Sequence, residues 1–246
     1  MRQSRVFIME EKTFEGQPEE SVQMDGKLFA QAMIKFVFGV LLVGALLFLP
    51  AGTFAYPQGW LFLGILFIPM FFAGLVMMRK NPDLLRKRLN AREEQGDQKT
   101  VILLSGLMFL AAFAAAGLCF RFGRFLLPAW VSLAAAAVFL LAYALYGEVL
   151  RENEYLSRTI GVQEGQRVID TGLYGVVRHP MYMSTLLLFL VMPLVLGSAV
   201  SFVIMLLYIP LIGKRIRGEE RVLEAELDGY REYRQRVKYK VIPYIW

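Results

Sequence analysis

The chain has 246 residues, of which 57% are hydrophobic and 20% charged, with a formal net charge of +6. So little polar surface excludes an ordinary soluble domain, and the mean hydropathy of +0.48 agrees. The positive charge does not point to nucleic acid, because the basic residues sit in short segments between apolar runs and no nucleic-acid-binding motif is present.

Residues 1–28 are polar and mixed in charge. They read as a cytoplasmic tail rather than a signal peptide, since the apolar run that follows is too long and lacks a small-residue cleavage site. Four runs of the length needed to cross hydrocarbon, about 20 residues, come next: Leu28–Leu49, Trp60–Met78, Val101–Phe120 and Pro128–Leu150. Between the second and third, Pro82 and Asp83 open a leucine- and base-rich stretch. It suits an interfacial helix, and equally a solvated loop.

The apolar stretch Met181–Gly213 is too long for one span, and Gly197–Ser198 divides it. Each half then holds roughly 16 residues and rises about 24 Å, which suits a helical hairpin. Pro193 and Pro210 are expected to kink its arms. The expected fold is therefore all-α, a polytopic transmembrane helical bundle of about six membrane segments that includes a C-terminal helical hairpin. Three regions follow: the tail 1–28, a four-span transmembrane bundle at 29–150, and a catalytic region at 151–246 with a cofactor loop, the hairpin and an amphipathic C-terminal helix.

Of the 27 Lys and Arg residues, all but Arg121 and Arg124 fall in the tail or early in the first span (Lys35), in 79–99, in 151–178 or after the hairpin. That asymmetry puts both termini and both ends of the hairpin in the cytoplasm. The chain has a single histidine, His179, and a single cysteine, Cys119. An internal disulfide is impossible, and a metal site is not expected.

The chemistry gathers at the two ends of the hairpin. Before it, a polar, glycine-rich segment runs through Tyr174 into Arg178-His179-Pro180-Met181-Tyr182. Pro180 fits the first turn of a helix, whose free N–H groups favour an anionic group. Arg178 could grip a carboxylate at two points, and His179 can hydrogen-bond near neutrality. After the hairpin, Arg215 and Glu219 stand four apart and share a helix face, with Glu220 beside them. Taken singly, each is as well explained by an interface anchor or a surface ion pair. Charged groups at this depth are costly unless they pair or serve a site, and the combination at both ends of one hairpin points to a site.

The pattern Gly172-x-Tyr174-x-x-Val177-Arg178-His179-Pro180-x-Tyr182, then Arg215-x-x-x-Glu219-Glu220-x-x-Leu223, Tyr230-x-x-Tyr233 and Ile242-Pro243, resembles the isoprenylcysteine carboxyl methyltransferase family, most of all its prokaryotic members. The resemblance covers about residues 160–246. It implies a cytoplasm-facing pocket for S-adenosylmethionine and a lipid-facing tunnel. Carried over, Gln163, Gln166, Arg167, Val168, Ile169, Tyr174, His179, Pro180, Met181, Tyr182 and Glu219 would line the cofactor pocket, with Glu220 an alternative to Glu219. Arg215 would hold the acceptor carboxylate. The implied partners are a lipophilic or prenylated substrate and membrane lipids, with no nucleic acid and no metal. The acceptor stays open among an isoprenylcysteine-like carboxylate, a phospholipid amine, a small thiol and another lipid. Two other classes compete: an NADPH-dependent sterol- or steroid-type reductase, which carries a similar Arg-His-Pro-x-Tyr hairpin, and a non-enzymatic membrane scaffold or transporter.

Overall fold

In the computed structural model, residues 26–89, 96–156 and 161–246 are described. The expectation for the N-terminal tail therefore lies outside the described residues for positions 1–25. The elements are α1 (Gly26–Ala51), α2 (Pro57–Lys80), α3 (Pro82–Leu89), α4 (Gly96–Phe122), α5 (Ala129–Glu152), a 3₁₀ turn (Gly172–Gly175), α6 (Pro180–Val195), α7 (Ala199–Met205), α8 (Tyr208–Glu226) and α9 (Tyr230–Arg236). Among the described residues there is no β-strand, and Leu126 and Ser198 form an isolated bridge.

Helices α1, α2, α4 and α5 are each long and apolar enough to cross a membrane, as is the run Ala199–Glu226 that joins α7 to α8; α6 is shorter. The protein is an integral, multi-pass membrane protein. Large apolar side chains such as Ile34, Leu49, Phe72 and Leu141 face outward, as they must where the solvent is lipid. The helices approach closely where small residues permit it. A Cβ on Gly117 of α4 would stand 2.5 Å from the Leu47 carbonyl of α1.

The stretch between α2 and α4 does form a helix. Asn81 ends α2 and begins α3, its Oδ1 accepting the Leu84 N–H at 3.0 Å. Leu85 is buried against Leu28 and Met78, so α3 folds back onto the ends of α1 and α2.

The hairpin turns where the glycine predicts. Gly197 has φ +71°, a conformation that favours glycine, and the Ser198 hydroxyl caps α7 by accepting the Ser201 N–H at 3.1 Å. Pro193 lies in the last turn of α6, so it ends that helix rather than bending its middle. The second arm breaks at Leu206–Leu207, just before α8. Pro210 has no N–H to give the Leu206 carbonyl, and the Ile209 N–H takes that carbonyl instead at 3.1 Å. The tip is roofed by the α1–α2 and α4–α5 loops. Tyr56 Oη donates to the Leu196 carbonyl at 2.6 Å, Leu127 N–H to Gly197 at 2.9 Å, and Ala199 N–H to Phe125 at 3.1 Å. With α6 laid along α5 and α7 against α4, the hairpin holds its open end, and the site, at the opposite face of the bundle.

Candidate active site

The open end of the hairpin is closed by the C-terminal segment. The Arg178 and His179 N–H groups donate to the Tyr239 and Lys240 carbonyls at 2.9 and 2.8 Å. Arg178 Nη1 donates to the carbonyls of Val237 and Lys238 at 2.8 and 2.7 Å, and its Nε and Nη2 both meet Glu220 Oε1 at 2.9 Å. Lys240 Nζ reaches Glu220 Oε2 at 3.3 Å, and His179 Nε2 lies 3.3 Å from Oε1. Arg178 and Glu220 side chains are only 4% and 7% exposed. The two-point grip anticipated for Arg178 is therefore spent on the chain's own carboxylate. Burial decides this, because a guanidinium taken from water must be paired.

Glu219, one residue earlier on α8, faces elsewhere. It accepts a hydrogen bond from the Tyr182 hydroxyl of α6, and Arg215 Nε donates to that same hydroxyl at 3.1 Å. A carboxylate and a guanidinium from α8 thus converge on one tyrosine of the opposite arm. His179 Nδ1 is 4.0 Å from Glu219 Oε1, beyond hydrogen-bond reach.

These residues form one wall of a cleft of about 850 Å³, a volume that includes the open space at its mouth. Of the residues expected at the cofactor pocket, Gln166, Arg167, Val168, Ile169, Tyr174, His179, Met181, Tyr182 and Glu219 line it, and Arg215 does too. Gln163 and Pro180 are not among its lining residues. Gln163 donates through Nε2 to the Tyr155 carbonyl, and its N–H goes to Gln166 Oε1 at 2.9 Å, so it ties the loop that forms the cleft's edge. Pro180 is buried at the first position of α6, where it sets the helix start.

The floor of the cleft rests on a tight turn. Gly172 has φ +52° and a Cβ there would overlap the Glu152 carboxylate, which accepts the Leu173 N–H at 3.0 Å. The turn seats Tyr174, whose hydroxyl accepts from Asn153 Nδ2 at 2.9 Å and whose carbonyl accepts from Tyr233 Oη at 2.8 Å. Burial, more than any neighbouring charge, pushes the Tyr174 hydroxyl's pKa well up, so it stays protonated.

Sequence reasoning assigned no role to other lining residues, among them Asn153, Tyr155 and Leu156 beyond α5, and Leu223 of α8, Leu227 just past it, and Tyr230 and Tyr233 of α9. The last four carry a partial signal: Tyr230 and Tyr233 stand three apart on one face of α9, whereas Leu223 belongs to α8 and Leu227 to the link between the two helices. The first three carry none, because nothing in the sequence tells that the chain past Glu152 doubles back over the site.

The sequence model of the isoprenylcysteine carboxyl methyltransferase (ICMT) family matches residues 128–225. A curated relative, the Delta(14)-sterol reductase TM7SF2 of Mus musculus, is 30% identical over 91 residues, 36% of this chain. The match spans 22% of that relative's length, about a fifth. The stretch that the family model covers runs from the start of α5 through the charged face of α8, about two fifths of the chain.

Proposed function

We propose that this protein is an S-adenosylmethionine-dependent methyltransferase that methylates a lipophilic acceptor at the membrane surface, with the carboxylate of an isoprenylcysteine-like substrate as the preferred acceptor. The observation that carries the reading is the convergence of Arg215 and Glu219 on the Tyr182 hydroxyl, which sets an anion-binding and a cation-binding group side by side in one cleft. The donor set fits the cofactor. Glu219 offers a carboxylate to a cationic ligand, and Val168, Ile169, Leu223 and the tyrosines offer apolar and aromatic walls to a purine. When bound, the cofactor supplies an activated methyl group. The protein's work is then placement and exclusion of water, since a carboxylate is already ionised at neutral pH and needs no general base. Arg215 orients the acceptor carboxylate, Tyr182 holds the Arg215 guanidinium beside Glu219, and the roof of α9 and the C-terminal segment shuts water out. The distribution of basic residues supports a cytoplasmic site and cytoplasmic termini.

The sterol reductase relative favours a second reading, in which the same cleft takes NADPH. Calorimetry on the detergent-purified protein separates the two. Binding of S-adenosylhomocysteine without NADPH binding is expected, and the reverse would overturn the methyltransferase reading. Arg215→Ala is expected to abolish methyl transfer while leaving cofactor affinity within about twofold, and Arg215→Lys to restore it incompletely, because an ammonium lacks the planar two-point grip. Parallel loss of cofactor binding in Arg215→Ala would remove Arg215 from the acceptor side.

A further inference from the structure

We infer that the Tyr230 hydroxyl is a ligand-binding group of the cleft, donating a hydrogen bond to an uncharged acceptor on the adenosine half of the cofactor. This rests on the methyltransferase reading. Five tyrosines line the cleft, and four of their hydroxyls are engaged within the protein. Tyr155 Oη donates to the Gly165 carbonyl at 3.4 Å, Tyr174 Oη accepts from Asn153, Tyr182 Oη joins Arg215 to Glu219, and Tyr233 Oη donates to the Tyr174 carbonyl. Tyr230 Oη, on a residue only 3% exposed, is buried with no hydrogen-bond partner. A buried hydroxyl left unmatched is costly, and such groups in native proteins need a reason. The residue lies on the cleft wall, so a bound ligand can supply the missing partner.

The surroundings select the kind of partner. The Tyr230 ring is fixed against Tyr233 at 5.8 Å between centroids and packs with Leu227, Val237 and Val168. Burial first, then the fields of Glu220 and Glu219, drives the hydroxyl's pKa well up, with Arg178 opposing. The group therefore keeps its proton and acts as a donor. The same two carboxylates make the spot unwelcoming to an anion, so the cofactor's own carboxylate is disfavoured there. A ribose hydroxyl or purine nitrogen is an uncharged acceptor free of that repulsion.

Tyr230→Phe removes the hydroxyl and keeps the ring. In detergent-purified protein, the affinity for S-adenosylhomocysteine by calorimetry, and for 5′-methylthioadenosine by competition, is expected to fall by the same factor, roughly fivefold. The ligand-free unfolding midpoint is expected to stay or rise, whereas the control Tyr233→Phe, which strands the Tyr174 carbonyl, is expected to lower it. Unchanged affinity for both ligands would overturn the inference. So would loss confined to S-adenosylhomocysteine, which would put the hydroxyl on the amino-acid half, or a midpoint loss as large as that of Tyr233→Phe, which would reveal a partner within the protein. Failure of the unsubstituted protein to bind S-adenosylhomocysteine would instead defeat the methyltransferase reading and this inference with it.

Discussion

Replacing Glu220 by alanine leaves Arg178 buried with no carboxylate at its Nε and Nη2 and takes from Lys240 its 3.3 Å partner. Removing one member of a buried ion pair costs about 3–5 kcal/mol, because the other charge stays behind uncompensated. At about 2–4 °C per kcal/mol for a chain of this size, the apparent unfolding midpoint should drop by roughly 6–20 °C. Glu220→Gln keeps an acceptor oxygen in place and should cost less, about 1.5–3 kcal/mol, the worth of a hydrogen bond to a charged group. Glu219 lies next to it in sequence, yet its side chain is 26% exposed and faces the cleft. Glu219→Gln should shift the midpoint by less than about 1 kcal/mol equivalent. It should, however, weaken cofactor binding roughly 10- to 150-fold, the loss of one charge-assisted bond. The assay is thermal unfolding of the four proteins in one detergent, with calorimetric titration of S-adenosylhomocysteine on those that stay folded. Limited proteolysis after Lys238 and Lys240 reports on the C-terminal segment, which should open in Glu220→Ala alone. Equal midpoint losses in the Glu219 and Glu220 variants, or an unchanged midpoint in Glu220→Ala, would refute this division of labour.

Gly172→Ala should force the Glu152 carboxylate off the Leu173 N–H and strain a left-handed residue, costing roughly 1–3 kcal/mol; it should also weaken cofactor binding by unseating Tyr174. Wild-type values of both the unfolding midpoint and the affinity would show that the turn tolerates the methyl group. Cysteines placed singly at Lys99 and Arg167 in a Cys119→Ala background should be labelled from the cytoplasmic face in intact cells or oriented vesicles. Labelling of either from the outer face would overturn the orientation drawn from the basic residues.

The long spans were legible because a lipid solvent demands apolar side chains all round, and the apolar runs of α1, α2, α4 and α5 satisfy it, with Lys35 near the start of α1 and Glu148 near the end of α5 as charged exceptions. Gly197 announced the hairpin tip because its backbone conformation suits little else. The two-part motif brought Arg215, Glu219 and Tyr182 to one place because a hairpin returns its ends to the same face. What stayed hidden was which charged residue spends its charge on the protein. Arg178 and Arg215 look alike in sequence, and so do Glu219 and Glu220. The difference arises from the C-terminal segment, whose carbonyls at Val237, Lys238, Tyr239 and Lys240 enclose Arg178 and His179. Pairing between positions some 60 residues apart leaves no periodic trace.

The roofed tip of the hairpin has a consequence for how the protein responds to its bilayer. At 16 residues, α6 rises about 24 Å, short of a hydrocarbon layer about 30 Å thick. A lone helix of that length would have to pinch the lipid around it. Here Leu196 and Ser198 are almost wholly enclosed, and the loops carrying Tyr56 and Phe125–Leu127 fill the missing height with protein. Both ends of α6 are therefore fastened to the rest of the fold, while α1, α2, α4 and α5, at 24 to 27 residues, are long enough to absorb a change of thickness by tilting. The element that carries His179 and Tyr182 is therefore expected to be insulated from hydrophobic mismatch, with the geometry of the cleft kept in thick and thin membranes alike.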